Sequence, residues 1–176
     1  MTRFDATLAR LQDWDERICV SLNRGIHVRP LLQLFRAVSW LGNGIFWYGL
    51  MLAMLLAEAG RAIAPFVHMV LAGLACTFIY KLLKRGTLRP RPFHVHQHIA
   101  AGAQPLDQFS FPSGHTLHAV AFTLVACAYY PQLAFLAVPF TLLVAASRMV
   151  LGLHYPSDVL AGAALGALVA AASFSF

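Results

Sequence analysis

Long apolar runs alternate with short polar segments along this 176-residue chain. No Asp, Glu, Lys or Arg occurs within residues 37–57, 62–80, 116–147 or 159–176. A transmembrane helix needs about 20 mostly apolar residues, so each of the first two runs fits one span. The third run is too long for one span, and Tyr129–Gln132 (YYPQ) predicts a turn inside it. The pattern therefore predicts an all-α integral membrane protein, a bundle of about five transmembrane helices.

Several positions in or between these runs predict departures from a regular helix. Asn43, which lies between two glycines, should loosen or delay the start of the first spanning helix. Glu58–Arg61 (EAGR) predicts a tight polar turn, and Pro139 predicts a kink. Gly162 and Gly166 form a small-xxx-small face, which favours close helix packing. We expect that packing to occur within the chain rather than between two copies of it.

The N-terminal segment, residues 1–29, follows a different pattern. Its apolar residues recur at spacings of three and four with charged residues between them: Phe4, Leu8, Leu11, Trp14, Ile18 and Leu22. This spacing predicts an amphipathic helix that lies in the membrane interface. The alternative is a helix that covers the bundle. Residues 1–176 are predicted to form a single domain.

Composition supports a membrane protein and changes the meaning of the charge. The chain is 59% hydrophobic and 11% charged, whereas soluble proteins have about 25% charged residues. A net charge of +6 would suggest nucleic acid as the partner of a soluble protein. Here the basic residues lie in the N-terminal third and in a polar loop that starts at Lys81. Anionic lipid head groups or a phosphorylated ligand explain them better, and we expect no nucleic acid partner.

The order of the spans brings three charged clusters to one membrane face. The second span ends at the Lys81 loop, the third begins from that loop, and the fourth returns to the same side at Arg148. The segments KRGTLRPRP, FPSGHT and SRMVLGLHYPSD should therefore lie close together. Inserting a charged side chain into a bilayer costs roughly 2.5–3.5 kcal/mol, so such charges indicate a functional site.

The residue types in these clusters indicate a phosphate site. Lys84, Arg91 and Arg148 are cations that can neutralise a phosphoryl group, and the arginines can bind it with two hydrogen bonds each. Ser113 fits the N-cap of the third spanning helix, where free backbone N–H groups near Gly114 would point at an anion.

Two histidines supply what the hydrolysis of a phosphate ester needs, a nucleophile and an acid. These are His115 and His154. Asp158 follows His154 by four residues, in the first turn of the last span, where Pro156 fits the first helical position. A carboxylate at this position can reach back to the imidazole and fix its tautomer.

In order and spacing, these clusters resemble the three signature motifs of the type 2 phosphatidic acid phosphatase (PAP2) superfamily. The matching residues are Lys84, Arg91 and Pro92 for Lys-x6-Arg-Pro, Pro112–His115 for Pro-Ser-Gly-His, and Ser147, Arg148, His154 and Asp158 for Ser-Arg-x5-His-x3-Asp. All three motifs match without departure. The N-terminal third carries no motif, so its resemblance rests on hydropathy alone.

The resemblance implies a role for each matching position. His154 would be the nucleophile that forms a phosphohistidine, Asp158 would hold it, and His115 would protonate the leaving oxygen and then activate water. The residues implied to bind the phosphoryl group are Lys84, Arg91, Ser113, Gly114 and Arg148. Residues 81–113 would be the active-site loop. The family uses no metal and no other cofactor.

Three other interpretations stay open. His94, His96 and His98 would share one face of an extended segment and could bind a metal, although we favour a polar loop at the site entrance. An anion transporter would need polar residues along the spans, which are mostly apolar. A non-catalytic membrane scaffold is disfavoured by the complete set of motif residues.

A site at the membrane surface suits a lipid phosphate whose tail stays in the bilayer. The resemblance makes undecaprenyl pyrophosphate, hydrolysed to undecaprenyl phosphate, the leading substrate. Phosphatidylglycerophosphate, phosphatidic acid and lipid A phosphates follow. The resemblance also favours a bacterial inner membrane with the active site on the periplasmic or external face. The positive-inside rule would instead place the Lys81 loop in the cytoplasm.

Overall fold

The computed structural model describes residues 3–175, except for the side chains of residues 3, 4, 8 and 59. Phe4 and Leu8 of the predicted apolar stripe therefore lie outside the described side chains. All regular structure in the described chain is helical. The α-helices are α1 (Arg3–Asn23), α2 (Arg29–Trp40), α3 (Phe46–Glu58), α4 (Ile63–Thr87), α5 (Pro92–Val95), α6 (Gly114–Tyr129), α7 (Ala134–Val150) and α8 (Pro156–Ser173).

Helix α6 lies at the centre of the bundle, where it packs against α4, α7 and α8. Its side chains Leu117, Ala121 and Val125 are completely buried. Four helical segments of the described chain are long and apolar enough to cross a membrane: Arg29–Glu58, Gly60–Val95, Pro131–Val150 and Pro156–Ser173. They confirm the predicted all-helical membrane bundle, and the apolar helix α6, with 16 residues, would bring the count to about five.

The turns predicted between the spans are confirmed. A short 3-10 helix, Ala59–Ala62, joins α3 to α4 at the predicted EAGR turn. A second one, Pro131–Leu133, joins α6 to α7 at the predicted YYPQ turn. Helix α7 contains Pro139 and is assigned as one continuous helix, and the kink at this residue stays a prediction.

The first span contains the break predicted at Asn43. A π-helical segment, Leu41–Ile45, separates α2 from α3, and Asn43 and Gly44 depart from helical geometry within it. Gly44 has a φ of 118°, a conformation that glycine adopts without strain. The span begins at Arg29, eight residues before the uncharged run that starts at residue 37. Pro30 does not prevent this, because proline is well tolerated in the first turn of a helix.

Helix α4 extends past the predicted start of the polar loop. It ends at Thr87, and Leu88 takes a left-handed conformation at the C-cap. Lys84 therefore lies near the end of a helix rather than in a loop. Residues 81–87 include several good helix formers, and positive charge is favourable at a helix C-terminus. The predicted loop boundary at Lys81 is wrong, and the connection covers residues 88–113 with α5 inside it.

Helix α1 forms where the apolar spacing predicts a helix, and it packs against α7 and α8. Its buried side chains include Asp15, Cys19 and Asn23, each four residues from the next. Leu11 and Trp14 of the apolar stripe are 45% and 42% exposed. The helix thus covers the bundle with a polar face, as the alternative interpretation expected. Its outward apolar stripe suits a membrane interface, and the interfacial location stays a prediction.

Helices α6 and α8 approach each other most closely at two glycines of α8. A Cβ atom at Gly162 would lie 2.6 Å from the carbonyl oxygen of Ser113, and one at Gly166 would overlap the carbonyl oxygen of Leu117. Only a residue without a side chain allows two backbones to pack at this spacing. The predicted packing of this face within the chain is confirmed.

Replacing Gly166 with leucine should destabilise the bundle by at least about 1–3 kcal/mol, because the new side chain would be forced against the α6 backbone. Ala164→Leu, on an exposed position of the same helix, is the matched control and should have little effect. Thermal unfolding of the detergent-purified variants measures the difference. Equal unfolding midpoints for the two variants would contradict this packing.

Candidate active site

The three charged clusters meet at one end of the bundle, around a cavity of about 360 Å³. The motif residues that line it are Lys84 of α4, Arg91 before α5, Gly114 and His115 of α6, Arg148 of α7, and His154 between α7 and α8. The fold therefore brings together residues that the sequence distributes over three separate motifs.

A tight backbone turn presents His154 to this cavity. The backbone N–H groups of Leu153 and His154 both donate to the carbonyl oxygen of Arg148, at 3.0 and 3.1 Å. Gly152 precedes them with a φ of 70°, and a Cβ atom there would lie 2.7 Å from the carbonyl oxygen of Ala100. The turn after α7 therefore fixes Arg148 and His154 relative to each other.

The surroundings of His154 assign its tautomer. Its Nε2 lies 3.2 Å from Nη1 of Arg91, and a guanidinium nitrogen can only donate a hydrogen bond. Nε2 is therefore the unprotonated nitrogen, and Nδ1 carries the proton. Burial first, and then the nearby cations, hold the pKa of His154 well below its ordinary value. The ring is thus neutral, with a lone pair on the nitrogen that faces Arg91.

Asp158 lies on the Nδ1 side of the His154 ring, but the predicted contact that would fix the tautomer is not closed. Its Oδ2 is 3.8 Å from Nδ1 of His154, which is beyond a hydrogen bond. The same oxygen accepts the backbone N–H of Tyr155 at 2.9 Å, and Oδ1 accepts Nη1 of Arg89 at 2.7 Å. An acidic residue at this position commonly caps a helix. The carboxylate is therefore held by the start of α8 and by Arg89.

Asp107 belongs to the site although none of the three motifs contains it. Its carboxylate accepts hydrogen bonds from Lys84 at 2.7 Å and from Arg91 at 2.8 Å. Burial alone would raise the pKa of Asp107, but these two cations lower it by more, and the net shift is downward. Asp107 is therefore ionised and holds the two cations side by side. Its place in the loop between the first two motifs was the only signal in the sequence.

Arg148 presents an unpaired donor at the cavity. Its Nη1 donates to the hydroxyl of Ser39 on α2, but its buried Nε has no hydrogen-bond partner among the described residues. Nε1 of Trp47, which lines the same cavity, is also buried and unpaired within the described chain. Nδ1 of His154 is unpaired too, but it lies on the Asp158 side of the ring. A buried unpaired donor costs about 1–3 kcal/mol. The site therefore favours a ligand with several acceptor oxygens.

Two serines of the motifs are buried and are not among the described lining residues. Ser113 occupies the N-cap position of α6, as predicted, but its hydroxyl shares a hydrogen bond of 2.9 Å with Thr116. Ser147 donates to the carbonyl oxygen of Val144 at 2.6 Å, which fits a role in helix packing. The second motif therefore reaches the cavity through Gly114 and the histidine that follows it.

The histidine-rich loop does not form the extended face that a metal site would need. Residues 92–95 form a helical turn, so His94, His96 and His98 do not alternate as they would in a strand. His96 lies 3.2 Å from Oε1 of Glu16 and 3.1 Å from the hydroxyl of Tyr155. His94 and His98 are exposed. Within the described residues, no group of three or more His, Cys, Asp or Glu side chains could hold a metal ion.

An apolar arm extends the cavity from the charged end to the outer surface of the bundle. Trp47, Tyr48 and Met51 of α3 line it together with Val70 and Leu74 of α4. Tyr48 is 67% exposed and Leu74 is 62% exposed, so the arm opens between these two spans. A charged chamber with an apolar side opening suits an amphiphilic ligand.

The family model of the PAP2 superfamily matches residues 62–176, which contain all three motifs. The chain is similar to a transmembrane PAP2-type phosphatidylglycerolphosphate phosphatase from Bacillus subtilis. The TM-score is 0.76 and the identity 26%, covering 95% of this chain and 86% of that one. LpxE from Aquifex aeolicus has a TM-score of 0.75 at 24% identity, covering 89% of this chain and 94% of that one, and supports the fold alone.

Curated relatives are similar over different lengths. A lipid A 1-phosphatase from Rhizobium johnstonii is 32% identical over 80% of this chain and 63% of that protein. A decaprenylphosphoryl-5-phosphoribose phosphatase from Mycobacterium tuberculosis is 41% identical over 51% of this chain and 49% of that protein. The chain thus spans less than two thirds of these two relatives. The family match covers most of the chain and every motif residue at the cavity, and the chain belongs to the PAP2 superfamily.

Proposed function

We propose that this protein is a membrane lipid phosphatase in which His154 is the nucleophile. The observation that carries the proposal is the position of Nε2 of His154, 3.2 Å from Nη1 of Arg91, at a cavity that three cations line. Family membership supports the same class of reaction, because similar proteins are named as phosphatases.

In the first step, Nε2 of His154 attacks the phosphorus atom, and the N–P bond forms as the P–O bond to the lipid breaks. His115, which lines the same cavity, donates a proton to the leaving oxygen. The three cations neutralise the charge that develops on the phosphoryl oxygens. Asp158 stabilises the positive charge that the imidazole of His154 gains in the phosphohistidine.

In the second step, His115 removes a proton from water, and the water oxygen attacks the phosphorus atom. The N–P bond breaks and inorganic phosphate leaves, which restores the neutral ring of His154 and the protonated ring of His115. Lys84, Arg91 and Arg148 supply the positive charge that a metal ion supplies in other phosphatases. The proposed reaction therefore needs no metal.

The charge of the cavity favours a lipid phosphomonoester as the substrate. The fixed charges of three cations and of Asp107 leave a net charge of two positive units, three minus one. The proton of His115 is not counted, because it passes to the leaving oxygen. A phosphomonoester carries about 1.5 to 2 negative charges at neutral pH. The names of the similar proteins refer to lipid A, to a decaprenylphosphoryl phosphoribose and to phosphatidylglycerolphosphate. Undecaprenyl pyrophosphate, which the sequence resemblance favours, is the second candidate because its prenyl tail suits the apolar arm.

We further propose that the charged end of the bundle faces the outside of a bacterial inner membrane. The apolar spans identify an integral membrane protein, and the resemblance to the family supports the external face. Helix α8 begins at the site and crosses the bundle, so its C-terminal end lies on the opposite side.

A green fluorescent protein fused to the C-terminus should therefore fluoresce in bacterial cells, because this fusion partner folds in the cytoplasm. Alkaline phosphatase fused at the same position should be inactive, because it requires the periplasm. Active alkaline phosphatase with a dark fluorescent fusion would instead place the catalytic end in the cytoplasm.

His154→Ala should lower phosphate release by a factor of about 10⁴ or more, because it removes the nucleophile. The assay uses detergent-purified protein in EDTA with phosphatidic acid, phosphatidylglycerophosphate, lipid A 1-phosphate and undecaprenyl pyrophosphate. His94→Ala, at an exposed histidine in the connection between α4 and α6, is the matched control and should retain full activity.

Undiminished release by His154→Ala would refute the assigned nucleophile. Faster release from undecaprenyl pyrophosphate than from every monoester would refute the charge argument. If EDTA inactivates the wild type and a divalent ion restores it, the reaction uses a metal.

A further inference from the structure

The N-terminal helix lies outside the family match, yet its polar face contacts the turn that carries His154. The amide of Asn23 donates to the carbonyl oxygen of Val150 at 2.9 Å. The thiol of Cys19 lies 3.9 Å from the carbonyl oxygen of His154. Asp15, one turn earlier, is 0% exposed and reaches the first turn of α8. Asp15, Cys19 and Asn23 therefore hold one face of α1 against the segment from Val150 to Ser157, which contains His154.

Asp15 binds two neighbours of Asp158. Its Oδ1 accepts the backbone N–H of Ser157 at 2.9 Å, and its Oδ2 accepts the hydroxyl of the same residue. Oδ2 also accepts Nη2 of Arg89 at 2.7 Å. A buried carboxylate is stable only when it is paired in this way.

Arg89 links Asp15 to Asp158. Its Nη2 binds Asp15, while its Nη1 donates to Oδ1 of Asp158 at 2.7 Å and to the hydroxyl of Ser157 at 2.8 Å. The guanidinium group also stacks on the ring of Tyr155, 4.2 Å from its centroid. Arg89 is thus held on three sides and separates two buried carboxylates that would otherwise repel each other.

This arrangement determines where Asp158 can point. Arg89 binds Oδ1, so the other oxygen, Oδ2, is left to face Nδ1 of His154. Without Asp15, Arg89 would lose its Nη2 partner and could rotate toward solvent, because its side chain is 27% exposed. Asp158 would then keep the bond from the N–H of Tyr155 to Oδ2 but lose the contact that fixes Oδ1.

We propose that Asp15 is a positioning residue of the active site, acting through Arg89 and Ser157 on the Asp158–His154 pair. Helix α1 is then a part of the catalytic machinery rather than only a membrane contact. The inference rests on the proposed function, because it requires His154 to be the nucleophile.

Asp15→Asn should lower kcat by about ten- to a hundredfold, the size of loss that follows when a residue supporting a metal-binding histidine is removed. The amide can still accept a bond from Ser157, but its NH₂ group cannot accept one from Arg89. KM and the inhibition constant of inorganic phosphate should stay within about twofold, because Asp15 contacts none of the cations that line the cavity. Asp13→Asn, at an exposed position of the same helix, is the matched control and should keep the wild-type kcat.

A purely structural role for Asp15 would reduce the amount of folded protein instead. Each rate is therefore divided by the folded fraction at the assay temperature, obtained from thermal unfolding. Ser157→Ala provides a second variant, since it removes the hydroxyl shared by Asp15 and Arg89 and keeps the backbone bond that anchors α1. Because both changes act on the same link, the double variant should lose less activity than the product of the two single losses.

The substrate is the lipid of the four-lipid panel that the wild type hydrolyses fastest. Activity in His154→Ala would defeat the proposed function itself. If His154→Ala is inactive, a corrected kcat for Asp15→Asn equal to that of Asp13→Asn would overturn only the role of Asp15. Independent, multiplicative losses from Asp15→Asn and Ser157→Ala would overturn it as well. If Asp15→Asn does not fold, an unchanged kcat in Ser157→Ala overturns it.

Discussion

The architecture depends on keeping three positive charges out of water at one end of an apolar bundle. Lys84, Arg91 and Arg148 are each less than a tenth exposed, and buried charges require compensating partners. Asp107 compensates two of them, whereas Arg148 keeps a donor that is unpaired within the described chain. The protein alone thus leaves both charge and hydrogen-bonding capacity unsatisfied. An anion with several oxygens, such as a phosphoryl group, would satisfy both.

Three charged residues of the site lie at helix ends where the helix dipole also favours their charge. Lys84 and Arg148 lie near the C-termini of α4 and α7, and Asp158 lies in the first turn of α8. Each charge has the sign that the helix dipole favours. The start of α6 is joined to this turn by a 3.0 Å hydrogen bond from the N–H of Ser113 to the carbonyl oxygen of Asp158. Close packing at Gly162 makes that contact possible.

Local patterns in the sequence predicted the spans, the break at Asn43, the glycine face of α8 and the end of the bundle where the motifs meet. They did not predict which polar residues are buried, because the partners of these residues are far away in the sequence. Asp15 is paired with Ser157, 142 positions away, and no periodicity marks such a residue. The apolar stripe of α1 predicted a helix, but it marks the outward face of that helix and not the face that packs on the bundle. The prediction that the helix ends at Lys81 was wrong because Lys and Arg are good helix formers and their charge is favourable at a helix C-terminus.

The central claim is that Nε2 of His154 becomes phosphorylated during each turnover. The most direct test is rapid mixing with a ³²P-labelled lipid phosphomonoester that the enzyme hydrolyses, followed by an alkaline quench and mass spectrometry of the labelled peptide. The account predicts a label on His154 that is stable in base and lost in acid, as expected for a phosphorus–nitrogen bond. A burst of phosphate release with no labelled enzyme, or a label on another residue, would contradict it.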